Sequence, residues 1–168
     1  GGLIHVNVVG CALFAAISGS SAATVATVGK MSIPELRKRN YPEKILLGSL
    51  AGSGTLGLLI PPSIILIIYG VAVQESIAKL FIAGIIPGIM IALIFMSYVI
   101  IWSLINKRSM PKMLEEYSFL EKIKRSKQLL PVIILILAVI GSIYTGIATA
   151  TEAASLGVVG ALILSYFQ

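Results

Sequence analysis

The sequence predicts an all-α, polytopic integral membrane protein, and three observations carry that expectation. Hydrophobic residues fill 57% of the 168 positions and charged residues only 12%, with a mean hydropathy of +0.99, whereas an ordinary soluble domain is about 25% charged. Several apolar runs exceed the roughly 18 residues that mark a spanning helix, and they run on without the alternation of β-barrel strands. The charge is gathered into two stretches. Lys30, Arg37, Lys38, Arg39 and Lys44 stand with Glu35 and Glu43 in the first, and seven basic residues between Lys107 and Lys127 stand with Glu115, Glu116 and Glu121 in the second. The net charge of +6 therefore reads as positive-inside topology with both stretches cytoplasmic, and nucleic acid is not expected as a partner.

The first apolar stretch, Leu3 to Val28, is interrupted by Ser18-Gly19-Ser20-Ser21, with Thr24 and Thr27 following at helical spacing. In the first basic stretch, Ser32 as cap and Pro34 in the first turn predict the start of a separate short surface helix. Ile45 to Val73 is long enough to cross a bilayer, yet Gly52-Ser53-Gly54-Thr55, Gly57 and Pro61-Pro62-Ser63 lie inside it. Two prolines remove two donors and push Ile60 from helical geometry, so no intact helix is expected there. After the polar turn Gln74-Glu75-Ser76, Leu80 to Ile105 is the clearest span, with Tyr98 and Trp102 toward its inner end. Two crossings between two inside loops satisfy parity. Met110 to Gln128 places Met113, Leu114, Tyr117, Leu120 and Ile123 at helical spacing among charges, which reads as an amphipathic surface helix or a solvated linker. Leu129 to Ile147 would cross outward, and Gly157 to Phe167 begins another apolar element. Residues 1–106 thus form one part with broken helices and spans, 107–128 a basic linker and 129–168 a further part. The apolar runs at both ends stop in mid-course, so the chain reads as a fragment of a longer protein.

Two physical readings compete for the hydroxyl-rich breaks. Small residues let helices pack closely while hydroxyls bond to nearby carbonyls. Alternatively, a break at membrane depth frees carbonyl oxygens, and these with hydroxyls form the hard oxygen ligands that Na⁺ accepts, while half-helix amino termini face an anionic solute. Two breaks of the same character bring the ion site level with packing. His5 beside Asn7 reads as a hydrogen-bonded structural residue before a proton relay, with no Cys/His/Asp/Glu cluster to complete a metal site of that kind. Glu152, an acid in an apolar stretch, reads as a helix-start residue paired with Thr149 or Thr151. Cys11 among small apolar neighbours reads as an inert buried thiol. No nucleophile, base and orienting group occur together, and no phosphate-binding glycine loop is present, so enzyme activity is not expected.

Four stretches, Gly1 to Val8, Ile17 to Ala23, Gly57 to Ser63 with Tyr69-Gly70, and Tyr144 to Ala154, carry a resemblance in order and spacing. The sequence resembles the large membrane subunit of tripartite ATP-independent periplasmic (TRAP) transporters, DctM/SiaM-like. The resemblance implies an ion-transporter-superfamily elevator fold with inverted repeats, the first repeat ending near residue 106 and the second opening near 129. It implies Na⁺-coupled uptake of an organic acid, such as a C4-dicarboxylate or sialic acid, across the bacterial inner membrane. Its implied partners are a small four-helix membrane subunit, a periplasmic solute-binding protein, the carboxylate solute and the lipid bilayer. Carried onto these positions, Na⁺ would be held by Ser18, Gly19, Ser20, Ser21, Gly52, Ser53, Gly54 and Thr55, and the solute would lie near Pro61, Pro62, Ser63, Thr149 and Thr151. Ala23-Thr24 stands where many relatives carry an acid, leaving hydroxyls and carbonyls as ligands. The alternatives are a symporter that needs no binding protein, and a non-transporting scaffold whose clusters serve packing alone.

Overall fold

The structure is a computed structural model that describes residues 2–107, 111 and 130–167, and every described element is helical. It divides into two compact units, Gly1–Met113 and Leu114–Gln168. In the first unit a 3₁₀ turn at Gly2–Ile4 leads into α1 (His5–Ser18), followed by α2 (Ser21–Lys38), α3 (Glu43–Gly54), a second 3₁₀ turn (Thr55–Leu58), α4 (Ile64–Val73) and α5 (Ile77–Ile105). The second unit contains α6 (Leu130–Tyr144) and α7 (Ala150–Phe167).

α1 and α2 form an antiparallel hairpin with its tip at Gly19. Gly10 faces Val28 across it, and Ile4 joins Leu36 in one core at the open end. At 1.5 Å per residue the 14 residues of α1 reach only about 21 Å, less than the roughly 30 Å of a bilayer's hydrocarbon. α3 packs against both arms. Ile45 and Leu46 enter the core with Ile4, Val8, Leu36, Tyr41 and Val99, while Leu50 joins Cys11 and Val28. A buried polar clamp ties α1 to α3: the Asn7 amide donates to the Leu46 carbonyl at 3.1 Å and to Ser49 Oγ at 3.0 Å.

α2 overturns one expectation. It runs unbroken from Ser21 to Lys38 with Pro34 inside it, so Ser32 is a buried mid-helix residue and caps nothing. Proline removes the bond to the residue four positions earlier, but Val28, Gly29 and Leu36 are buried on both sides of it and hold the helix in one piece. The turn that follows carries the ion pairs Arg37–Glu43 at 2.8 Å and Arg39–Glu35 at 2.7 Å.

Within the second broken stretch, Gly52 to Thr55 does not interrupt the helix: α3 continues through Gly54 and tightens into the 3₁₀ turn, and the chain leaves helical geometry only from Leu59 to Ser63. The Pro61–Pro62 peptide is cis. Among the described residues α5, 29 residues with Pro87 inside, is the one helix long and apolar enough to cross a membrane. Its row of exposed Ile86, Met90, Leu93, Ile101 and Leu104 matches a lipid-facing surface. The stretch from Leu129 to Ile147, expected to cross, yields a 15-residue helix ending at Tyr144, where Gly146 takes a left-handed φ of 73°. α6 and α7 pack through Gly157 against Val139 and Gly160 against Leu135. The amphipathic helix expected from Met110 to Gln128 lies outside the described residues, apart from Pro111.

Candidate functional site

The two interruptions meet. The Gly19 carbonyl, at the tip of the hairpin, accepts from the Ile64 amide at 3.1 Å, the first residue of α4. Gly19 sits at φ 59°, a left-handed conformation that L side chains avoid, and a Cβ there would overlap the Pro62 carbonyl oxygen. Gly57 lies against the backbone of Ser20 and Ser21, where a Cβ would come within 2.8 Å of the Ser20 carbonyl carbon and the Ser21 nitrogen. The tips therefore touch main chain to main chain, which only glycine permits at these two points.

Four helix ends converge on this contact: the carboxyl end of α1, the 3₁₀ turn that closes α3, and the amino ends of α2 and α4. Ser20 caps α2 by accepting from the Ala23 amide at 3.4 Å, and Ser63 caps α4 by accepting from the Leu66 amide at 3.5 Å. Ser63, fully buried, also donates to the Leu58 carbonyl at 2.8 Å and so ties one side of the unwound stretch to the other. Across the tip, Ser18 Oγ shares a 3.1 Å bond with Thr24 Oγ1, and Thr24 donates to the Ser20 carbonyl at 2.7 Å. The carbonyls of Ile60, Pro61 and Pro62 accept no hydrogen bond among the described residues. Carboxyl ends present partial negative charge and amino ends partial positive charge. The junction thus offers oxygens to a cation and amides to an anion within one small region.

A family model described as "Tripartite ATP-independent periplasmic transporter, DctM component" matches residues 1–168. The chain belongs to the DctM family. Among its relatives, the C4-dicarboxylate TRAP transporter large permease protein DctM of Pseudomonas aeruginosa is 40% identical over 167 residues, covering 99% of this chain and 38% of the relative. The ectoine/5-hydroxyectoine TRAP transporter large permease protein UehC of Ruegeria pomeroyi is 38% identical over 165 residues, 98% of this chain and 38% of the relative. The sialic acid TRAP transporter permease protein SiaT of Haemophilus influenzae is 38% identical over 168 residues, 99% of this chain and 27% of the relative. This DctM-family chain spans about two fifths of the length of the large permeases it matches. These three relatives are named as TRAP transporter permeases, and the resemblance read from the four motifs holds.

The other residues singled out in the sequence fall in three places. Ser18, Gly19, Ser20, Ser21, Pro61, Pro62 and Ser63 gather at the junction, and Gly54 adjoins it, packed on Val25 with the Ser21 carbonyl near. Gly52 and Ser53 look elsewhere in this DctM-family fold: Gly52 lies against the Phe95 ring, and the buried Ser53 hydroxyl donates to the Ser49 carbonyl at 2.6 Å beneath α1. Thr55 is exposed and donates to the Gly52 carbonyl at 2.7 Å. Thr149 and Thr151 lie in the second unit, where Thr149 and Glu152 form a reciprocal cap. Glu152 Oε2 accepts from the Thr149 amide and hydroxyl, each at 2.8 Å, and Thr149 Oγ1 accepts from the Glu152 amide at 3.3 Å. The expected helix-start role of Glu152 is what the structure shows.

Thr24 is the junction residue that the sequence noted at helical spacing after the break but did not count among the site residues. It is fully buried and links Ser18 to Ser20. The available signal was its place one turn beyond Ser20, where a hydroxyl reaches the carbonyl four residues back.

Proposed function

We propose that this chain supplies one half of the central site of a Na⁺-coupled secondary importer for an organic acid. It would work in the bacterial inner membrane, by elevator motion, with a small four-helix membrane subunit and a periplasmic solute-binding protein. The observation that carries the proposal is the tip-to-tip contact of two broken helices through the Gly19 carbonyl and the Ile64 amide. In hydrocarbon an unpaired carbonyl costs several kcal/mol, so unwound backbone persists at depth where a cavity, water or an ion satisfies it. The free carbonyls of Ile60, Pro61 and Pro62, with the hydroxyls of Ser18, Ser20 and Ser63, form an all-oxygen set suited to a hard monovalent cation. The capped amino ends of α2 and α4 suit the acid group of a solute. C4-dicarboxylates, sialic acid and ectoine, for which these three relatives are named, all bear a carboxylate, and the same chemistry is proposed for the solute here.

The test is uptake of a labelled carboxylate by the complete permease, reconstituted in proteoliposomes with its small subunit and binding protein. An inward Na⁺ gradient is expected to drive accumulation. Ser20→Ala and Ser63→Ala are each expected to raise the Na⁺ concentration for half-maximal uptake about tenfold, the equivalent of one contact to a charged group worth about 1.5 kcal/mol. Half-saturation unmoved by both substitutions removes the site, and uptake indifferent to Na⁺ removes the coupling.

A further inference from the structure

Asn7, in the first turn of α1, is fully buried at the α1–α3 interface, and its side chain bridges both the Leu46 carbonyl and Ser49 Oγ. Its orientation is fixed by its partners. The Leu46 carbonyl only accepts, and the Ser49 proton is already given to Leu46 at 3.1 Å, so both sites require the NH₂ face of the amide. Oδ1 is left buried with no donor among the described residues.

The position of this clamp matters more than its strength. α1 and α3 run side by side in the same direction from it, since Asn7 meets Leu46 at one end and the Gly19 tip meets the Gly57 turn at the other. Asn7 lies eleven residues before Ser18, and Leu46 eleven residues before Gly57. Those intervals span roughly 16 Å along α1 and roughly 18 Å along α3 with its 3₁₀ turn. Two rods of nearly equal length leave one clamp and end at one junction, so an axial slip at the clamp becomes the same displacement at the tips. Apolar packing does not prevent such a slip. Val8 and Cys11 against Leu46 and Leu50 are aliphatic or small, and lipid is as apolar as they are, so different offsets bury similar surface. A slipped Asn7 amide, by contrast, leaves its two protons unpaired away from water. A single buried asparagine sets register in coiled coils by the same asymmetry.

We infer that Asn7 is a positioning residue that sets the axial register of α1 against α3 and thereby holds the two tips in contact at the junction. Its effect on Na⁺ rests on the proposed reading of that junction; its effect on register does not.

The experiment places spin labels at Ile17→Cys and Leu47→Cys, both exposed in this unit, in the complete permease with Cys11→Ala. Their separation runs largely along the helices. The parent is expected to give one narrow distance. Asn7→Leu, which keeps the branching of the side chain and removes the amide, is expected to add a second population displaced by about 5 Å, one helical turn. With the competent register reduced to about a fifth, Na⁺ half-saturation rises about fivefold while the maximal rate at saturating Na⁺ stays within about twofold. Ser49→Ala removes one of the two acceptors and is expected to broaden the distance to a lesser degree, which keeps the test decisive where Asn7→Leu does not fold. Unchanged distances in both variants overturn the register role. A broadened distance beside an unchanged half-saturation overturns its link to the site. If the parent's uptake ignores Na⁺, the sodium reading of the junction is overturned, and the distances alone decide the register.

Discussion

Gly19 meets two demands at once, a left-handed backbone and a carbonyl of another segment within touching distance. Gly19→Ala is therefore expected to abolish uptake, because the conformation alone costs about 1–2 kcal/mol and the methyl also displaces Pro62. Gly48→Ala is the matched control: nothing lies within 4 Å of a Cβ there, and uptake in proteoliposomes is expected to be unchanged. At the basic turn between α2 and α3, the Arg39 guanidinium hydrogen-bonded to Glu35 holds that carboxyl below its usual range. A depressed pKa contributes stability above the group's ordinary value and loses it as pH falls through the lowered one. Limited proteolysis of this turn is thus expected to quicken on the acid side, and Glu35→Gln to remove that dependence. Glu35 is exposed, so the effect is expected to be small.

Elements were legible in the sequence where composition decides them and illegible where packing does. α5 followed from its apolar length, and the interruption at Ser18 to Ser21 from its composition; that it is the tip of a hairpin came from the structure, where a left-handed Gly19 ends α1 and Ser20 caps α2. Pro34 misled, since a proline in sequence marks a first turn or an interior kink equally well until the burial of Leu36 decides between them. The Gly52 to Thr55 run misled for the opposite reason: its glycines serve close contact with Phe95 and Val25 inside an unbroken helix. The cap of α7 was readable from Thr149 and Glu152 alone. Thr149→Ala is expected to weaken that end by about 1 kcal/mol and to speed hydrogen exchange at the amides of Thr151 to Ala153 about fivefold.

Across the first unit, the basic turn between α2 and α3 and the polar turn before α5 are expected on opposite membrane faces. A membrane-impermeant thiol reagent should label Lys38→Cys only from the cytoplasmic side and Glu75→Cys only from the periplasmic side. Labelling of both from one side would break the topology on which the junction's depth depends. With α1 too short to span and its tip docked on an unwound stretch, the hairpin is expected to be a re-entrant element whose polar end is held inside the bilayer by protein and not by lipid.

The sequence by itself determined the helical class, the positions of both basic stretches, the hydroxyl-rich breaks and the family, because length, charge and glycine-proline chemistry are local properties. Only the tertiary structure decided that Ser18 to Ser21 and Pro61 to Ser63 share one place, that Ser53 and Gly52 face other neighbours, and that Asn7 aligns the two rods that end there. Those are relations between segments some forty residues apart. They are fixed by which buried donors find acceptors and which backbones touch, and no single stretch of chain contains that information.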